Sequence, residues 1–333
     1  MKRDLGTTKT KNITVALGST GLIALTDPAI TGSDVLVSFD ARAEQDAIGL
    51  PPNVIRVPVG DDHTKDSLLA TMAKLGVSGI EEIIKLLKYA SGNLAEGLQG
   101  YGLMGWLYAM YLLTSQVWRD FVAQFSDAVY TNCKGATTLK VRFILSLSGG
   151  TGSCLFSVII KAIEDLLHSL YPDVTIDIEI VVVGGETYRN LREQTQHNHA
   201  FFWVDLVGYL LALNGYVKDD KVTRKAIIFE LAARGTDKDA RRAELRMILP
   251  AIFSDSFGEV MLLSSNHTTY LNPWGAITLL RFGYKSDARQ VDPLQFALAN
   301  AEKSPQRQSR CDGIPKSSCQ CQSYPRCGND GPA

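Results

Sequence analysis

The chain has 333 residues, with 34 Lys and Arg against 35 Asp and Glu, and a formal net charge of −1. That balance excludes a whole-molecule electrostatic pull toward nucleic acid or an anionic membrane. A hydrophobic fraction of 45% and a charged fraction of 21% are those of an ordinary globular chain long enough for a real core.

In chain order, MKRDLGTTKTKN is polar and lacks the apolar centre of a secretory signal. NITVALGSTG (12–21) predicts a first strand ending in glycines, and LIALTDPAI a short helix limited by Pro28. DVLVSFDAR (34–42) predicts a buried strand with Asp40 at its carboxyl end, and NVIRVPVGDD (53–62) a third strand. Residues 65–130 read as mostly helical, with Gly97, Gly100, Gly102 and Gly105 before and inside one helix start. The windows 101–114 and 200–213 are apolar, but the first is shorter than the roughly 20 residues a spanning helix needs and Asp205 interrupts the second. Both are expected to be buried helices, with no membrane span and a cytoplasmic location.

TLKVRFILSLS predicts a fourth strand, LFSVIIKAIEDLLHSLY a helix, and VTIDIEIVVVGGE a fifth strand closed by glycines. RNLREQTQHNHAFFWVDLVGYLLALNG predicts a long helix, and VTRKAIIFELA a sixth strand. TDKDARRAELRMILPAIF follows as another helix, with Thr236 or Asp237 as its cap. Strands alternating with helices predict an α/β fold, a parallel sheet with helices on both faces. Ligands of such sheets bind outside the carboxyl ends of the strands, and four of these strands end in Gly or Asp. From 303 to 333 the chain turns rich in Ser, Gln, Pro, Gly and Cys, and a disordered tail is expected. Cys311, Cys319, Cys321 and Cys327 lack the spacing of a zinc site, and no metal site is expected. Cys133 and Cys154 read as small buried thiols. His197 and His199, two apart on a helix, face different ways and make a poor ligand pair.

The stretch FILSLSGGTGSC (143–154) breaks an apolar strand into glycines and resumes as a helix expected to start near Ser153 or Cys154. Glycines there let the backbone approach an anion closely and adopt positive φ, while the helix dipole points its positive end at the same place. Ser148, Thr151 and Ser153 add hydroxyl donors. No lysine follows, which excludes the usual Walker loop, and the position after the fourth strand excludes the first-strand dinucleotide fingerprint.

The run Gly149, Gly150, Thr151, Gly152 and Ser153 resembles the phosphate loop of the tubulin and FtsZ superfamily, as in bacterial or phage tubulin-like proteins, with Ser148 and Cys154 replacing its outer glycines. The resemblance implies a guanine-nucleotide site (GTP or GDP, with Mg²⁺ allowed beside it) formed also by Gly18, Ser19 and Gly21 after the first strand, Asp40 after the second, and Gly100 and Gly102 in a second glycine-rich loop. It further implies Glu186 and Arg189 (with Arg192 as rival) near ribose and base, and Asp237 or Asp239 at the start of a central helix as the base reader. The implied layout is a nucleotide-binding domain over 10–235, a central helix over 236–265, and an incomplete second α/β domain over 266–302. Head-to-tail self-association into filaments, with nucleotide at the subunit contact, is implied as well.

Superfamily members hydrolyse GTP with carboxylates from a loop of the next subunit. The corresponding loop here, NHTTYLNPWG (266–275), contains no Asp or Glu; Asn272 takes the expected position and His267 is its only titratable group. Asp255 and Glu259 lie further back. An amide orients water but does not accept its proton. A non-hydrolysing nucleotide-binding scaffold or filament cap is therefore the alternative, and an unrelated α/β enzyme with a phosphorylated cofactor the next.

Overall fold

The computed structural model describes residues 9–60, 64–76, 102–147, 149–184, 222–231, 267–272 and 275–282, with a few isolated positions between them. Residues 1–284 form one compact unit. Its frame is an eight-stranded sheet. The strands are β1 (Thr10–Leu17), β2 (Val35–Asp40), β3 (Val54–Pro58), β4 (Thr138–Ser146), β5 (Thr175–Val183), β6 (Val222–Leu231), β7 (His267–Asn272) and β8 (Gly275–Phe282). Their order across the sheet is β3-β2-β1-β4-β5-β6-β8-β7. All neighbours are parallel except β7 and β8.

The helices are α1 (Gly18–Ala24), α2 (Pro28–Thr31), α3 (Arg42–Ile48), α4 (Lys65–Lys74), α5 (Gly102–Thr114), α6 (Gln116–Asn132) and α7 (Gly150–Leu170). The α/β architecture expected from the alternation of elements is the one present. The central strands are apolar on both faces because helices cover both. Ile13, Val15 and Leu17 of β1 point into one core with Phe143 and Leu145 of β4, Met104 and Leu107 of α5, Phe121 and Phe125 of α6, and Leu155 and Ile159 of α7. Ala16, Leu36, Ile144, Val181 and Phe229 point the other way, against Leu22, Ile23 and Leu25 in and after α1. The two-residue alternation of each strand thus feeds two cores at once.

α4 and α6 begin with side-chain caps. Thr64 accepts from the Ser67 amide in a capping box, and Ser115 accepts from the Trp118 amide. α7 begins at Gly149, which has no side chain to offer.

Three boundaries differ from expectation. α7 starts at Gly150, three or four residues earlier than its apolar run suggested, so most of the glycine loop is the helix's own first turn. The segment read as the loop 266–275 is largely strand: β7 pairs antiparallel with β8, Asn272 opposite Gly275. β8 in turn pairs parallel with β6, so the residues assigned to the start of a partial second domain extend the first sheet. A run such as AITLLRF suits an added sheet strand as well as a new domain, and only its hydrogen-bond partners separate the two.

Candidate nucleotide-binding site

β1 has β2 on one side and β4 on the other, and the chain's order of connection reverses there. The carboxyl ends of β1 and β4 therefore flank the crevice at the switch point of the sheet, where open α/β sheets bind ligands. Leu17 leads into Gly18 on one side of it, and Ser146 leads through Leu147 into Gly149 and α7 on the other.

The two turns touch through glycine. Gly18 has φ +77°, a left-handed conformation that side chains resist, and a Cβ there would lie 3.0 Å from the Gly152 amide nitrogen and 3.5 Å from Thr151 Cβ. A Cβ on Gly152 would lie 2.7 Å from the Leu17 carbonyl oxygen and 3.3 Å from both Leu145 Cβ and the Ser146 nitrogen. Among the described residues, a Cβ on Gly149 would meet only the Gly152 nitrogen, at 4.0 Å. Gly149 and Gly150 are half-buried. The expectation of positive φ in this loop is corrected. Gly149 has φ −80° and ψ 140°, Gly150 and Gly152 are helical, and the left-handed glycine of the site is Gly18. What the loop glycines supply is close approach of backbone to backbone.

The first intrahelical bond of α7 runs from the Ser153 amide to the Gly149 carbonyl, at 3.2 Å. The amides of Gly150, Thr151 and Gly152 come before it and have no intrahelical acceptor. They sit at the positive end of a 21-residue helix. Two of the hydroxyls expected to assist them have protein partners. Ser153 Oγ donates to the Gly149 carbonyl and lies 3.1 Å from Cys154 Sγ. Thr151 Oγ1 donates to Asp40 Oδ1 at 3.3 Å.

Asp40 is 3% exposed and is fixed from several sides. Phe39, its neighbour, is pinned in the opposite core by an edge-on contact with Phe121, ring centroids 5.2 Å apart. The alternation of β2 therefore turns Asp40 to the other face. Its Oδ1 also accepts from the Ala41 amide at 2.9 Å. Its carbonyl accepts from the Val59 amide and from Gln45 Nε2, each at 3.0 Å. Gln45 spans to the Val57 carbonyl as well, also at 3.0 Å.

Two residues that sequence reasoning did not place in the site belong to its framework. One is Gln45, a polar residue on a short helix with no motif to mark it. The other is Gly105, noted only as punctuation of a helix start. A Cβ on Gly105 would lie 2.2 Å from Cys154 Cβ and 3.1 Å from the Gly150 carbonyl, so α5 lies directly against the first turn of α7.

Of the expected site residues, Gly18, Thr151, Gly152 and Asp40 meet at the crevice, with Gly149, Gly150 and Ser153 in the same turn. Ser19 follows Gly18 in α1 and is half-buried. Gly21 serves packing: a Cβ there would lie 2.4 Å from the Ile144 carbonyl of β4. Gly102 opens α5. Gly100, Ser148, Glu186, Arg189, Arg192, Asp237, Asp239, Asp255 and Glu259 lie outside the described residues. Among the described residues no group of three or more His, Cys, Asp or Glu gathers to hold a metal ion, and no helix is long and apolar enough to cross a membrane.

Asn272 stands far from the glycine loop within one chain. Register carries the level of Gly275 across to Arg224, Ile178, Val141 and Ile13, four residues before Leu17. At about 3.3 Å per residue that is roughly 13 Å toward the amino-terminal edge of the sheet. β7 is also five strands away from β1, about 24 Å at the usual strand spacing.

No known protein family matches the chain, and no curated protein matches it. Among solved structures it is similar to TubZ of Clostridium botulinum phage c-st, at 13% identity over 89% of this chain and 75% of that one, with a TM-score of 0.39. It is also similar to the monomeric TubZ subunit of bacteriophage PhiKZ, at 15% identity over 78% of this chain and 64% of that one, with a TM-score of 0.36.

Proposed function

We propose that this chain is a tubulin-like guanine-nucleotide-binding protein that seats a polyphosphate on the backbone amides of Gly150, Thr151 and Gly152. One observation carries the reading. At the switch point of a parallel sheet, the first turn of a long helix packs against the Gly18 turn, with Gly18 and Gly152 at the contact. N–H groups without intrahelical acceptors at the positive end of that helix fit an anion with several oxygens.

The residues fit the phosphate part of a nucleotide. In this arrangement Asp40 Oδ1 is engaged with Thr151 and Ala41. The base and ribose contacts proposed for Glu186, Arg189 and Asp237 rest on the superfamily resemblance.

The placement of Asn272 bears on hydrolysis. A group on the order of 25 Å from the loop, by strand spacing, cannot orient water at a phosphate bound in its own chain. Its backbone position lies toward the amino-terminal edge of the sheet, opposite the loop, as an end-on second copy would require. That supports a head-to-tail assembly with the nucleotide at the contact. The residue is an amide, which favours slow or absent turnover and keeps the non-hydrolysing scaffold as the second reading.

Denaturing the purified chain and identifying the released small molecule by chromatography and mass spectrometry tests the binding reading. GDP or GTP is expected near one per chain. Adenine, nicotinamide or S-adenosylmethionine compounds in its place would overturn it. Sedimentation with GTP and Mg²⁺ tests assembly, and phosphate release separates hydrolase from scaffold.

A further inference from the structure

Thr151 is the one hydroxyl in the first turn of α7 whose partner lies outside that helix. Its Oγ1 donates to Asp40 Oδ1 at 3.3 Å, the long end of the range for such a bond, and the same oxygen accepts from the Ala41 amide at 2.9 Å. Behind Asp40 the restraint continues. Its carbonyl takes the Gln45 side chain and the Val59 amide, and Gln45 ties in turn to the Val57 carbonyl of β3. Phe39 holds the strand from the opposite face against Phe121. A continuous line of fixed groups thus runs from β3 through Gln45 and Asp40 to Thr151, in the middle of the turn that carries the three open amides.

We propose that Asp40 is a positioning residue for that turn: it acts through the Thr151 hydroxyl, and the bound phosphates are met by backbone amides rather than by either side chain. The inference rests on the phosphate reading of the loop. It assigns Thr151 a role different from that of a donor to the ligand. The hydroxyl has one proton, and the carboxylate takes it. Holding the turn rigid before the ligand arrives reduces the ordering cost of binding.

The test uses the full chain, a fluorescent GDP analogue as probe, and hydrogen exchange at residues 149–153 without nucleotide. Thr151→Val is expected to weaken the analogue about tenfold and Thr151→Ser by less than about threefold, the span of one hydrogen bond's net worth. Asp40→Asn, whose amide oxygen still accepts both bonds, is expected to stay near wild type, and Asp40→Ala to match Thr151→Val. In the double variant Asp40→Ala with Thr151→Val the losses are expected not to multiply, since both remove one shared contact. Both valine and alanine variants are expected to speed exchange at 149–153 while the amides of β4 and β5 stay protected. Multiplying losses would show the Thr151 hydroxyl on the ligand itself and overturn the proposal. So would Thr151→Ser failing as badly as Thr151→Val, Asp40→Asn failing as badly as Asp40→Ala, or unchanged exchange. If wild type binds no guanine nucleotide, the functional reading falls alone, and the exchange rates still decide whether Asp40 sets the turn.

Discussion

At the scale of single residues, the glycines of the site divide by what a methyl group would meet. Gly152→Ala would drive Cβ to 2.7 Å from the Leu17 carbonyl, backbone that the sheet holds in place. It is expected to cost about 1–3 kcal/mol, as overpacking does, and to abolish nucleotide retention. Gly149→Ala meets open space at φ −80°, a conformation alanine adopts freely. The loss of a helix-capping glycine and the gain from a stiffer unfolded chain nearly cancel, so its stability is expected to stay within about 1 kcal/mol of wild type. Paired thermal unfolding and nucleotide content measure both. If Gly149→Ala keeps both stability and nucleotide, the ligand does not use the open side of the turn.

Cys133 offers a second residue-level expectation. Burial, with a contribution from the nearby Asp34 carboxylate, raises its thiol from 9.0 to about 11. The folded state therefore holds a proton that the unfolded state releases first. The stability this group contributes is complete below about pH 9 and is lost as pH rises toward 11. The native thiol is expected to resist iodoacetamide at pH 8 and to react once the chain is unfolded, as mass spectrometry of the peptide containing Cys133 reports. Fast native labelling at that position would contradict the burial.

At the scale of elements, α7 carries the amides of the site at one end and is fastened farther along by an ion pair. Arg224 of β6 donates to Glu164 through Nη2 at 2.6 Å and Nε at 3.1 Å, with both side chains less than a tenth exposed. Removing one partner leaves a buried charge, so Arg224→Ala is expected to destabilise by about 3–5 kcal/mol. Replacing both by apolar residues, Arg224→Met with Glu164→Leu, is expected to recover most of that loss. Denaturant unfolding of the two variants decides it. A single variant within about 1 kcal/mol of wild type would mean the pair does not anchor the helix. Gly105 fixes the same helix from another side, because α5 can approach Cys154 only without a side chain there. α7 is thus held by three contacts: Gly105 on Cys154, Asp40 on Thr151 and Arg224 on Glu164.

At the scale of the whole molecule, the sheet sets the glycine loop at its carboxyl edge and the paired ends of β7 and β8, Asn272 and Gly275, toward the opposite one. A single chain then has two ends with different chemistry, and only a partner chain can join them. Nucleotide turnover, if present, is expected to rise with protein concentration faster than linearly. Asn272→Asp is expected to raise phosphate release at high concentration, because a carboxylate accepts the proton that an amide does not. Turnover per chain that stays constant from dilute to concentrated solution would remove the head-to-tail arrangement from the proposal.

The amino-acid sequence alone determined the strand–helix alternation, the six parallel strands and the place of the glycine loop, because period, glycine position and apolar runs are local properties of the chain. It also marked Asp40, as a carboxylate closing a buried strand. Tertiary structure decided what those residues do. Gly152 and Gly105 are needed for contacts with Leu17 and Cys154, more than a hundred and nearly fifty residues away in the chain. Thr151 reads as a loop hydroxyl until β2 is folded beside it. The stretch at 267–272 is strand because β8 supplies its hydrogen bonds, and no feature of its own six residues required that partner. Backbone approach and strand pairing are relations between distant segments, and only the folded sheet brings those segments together.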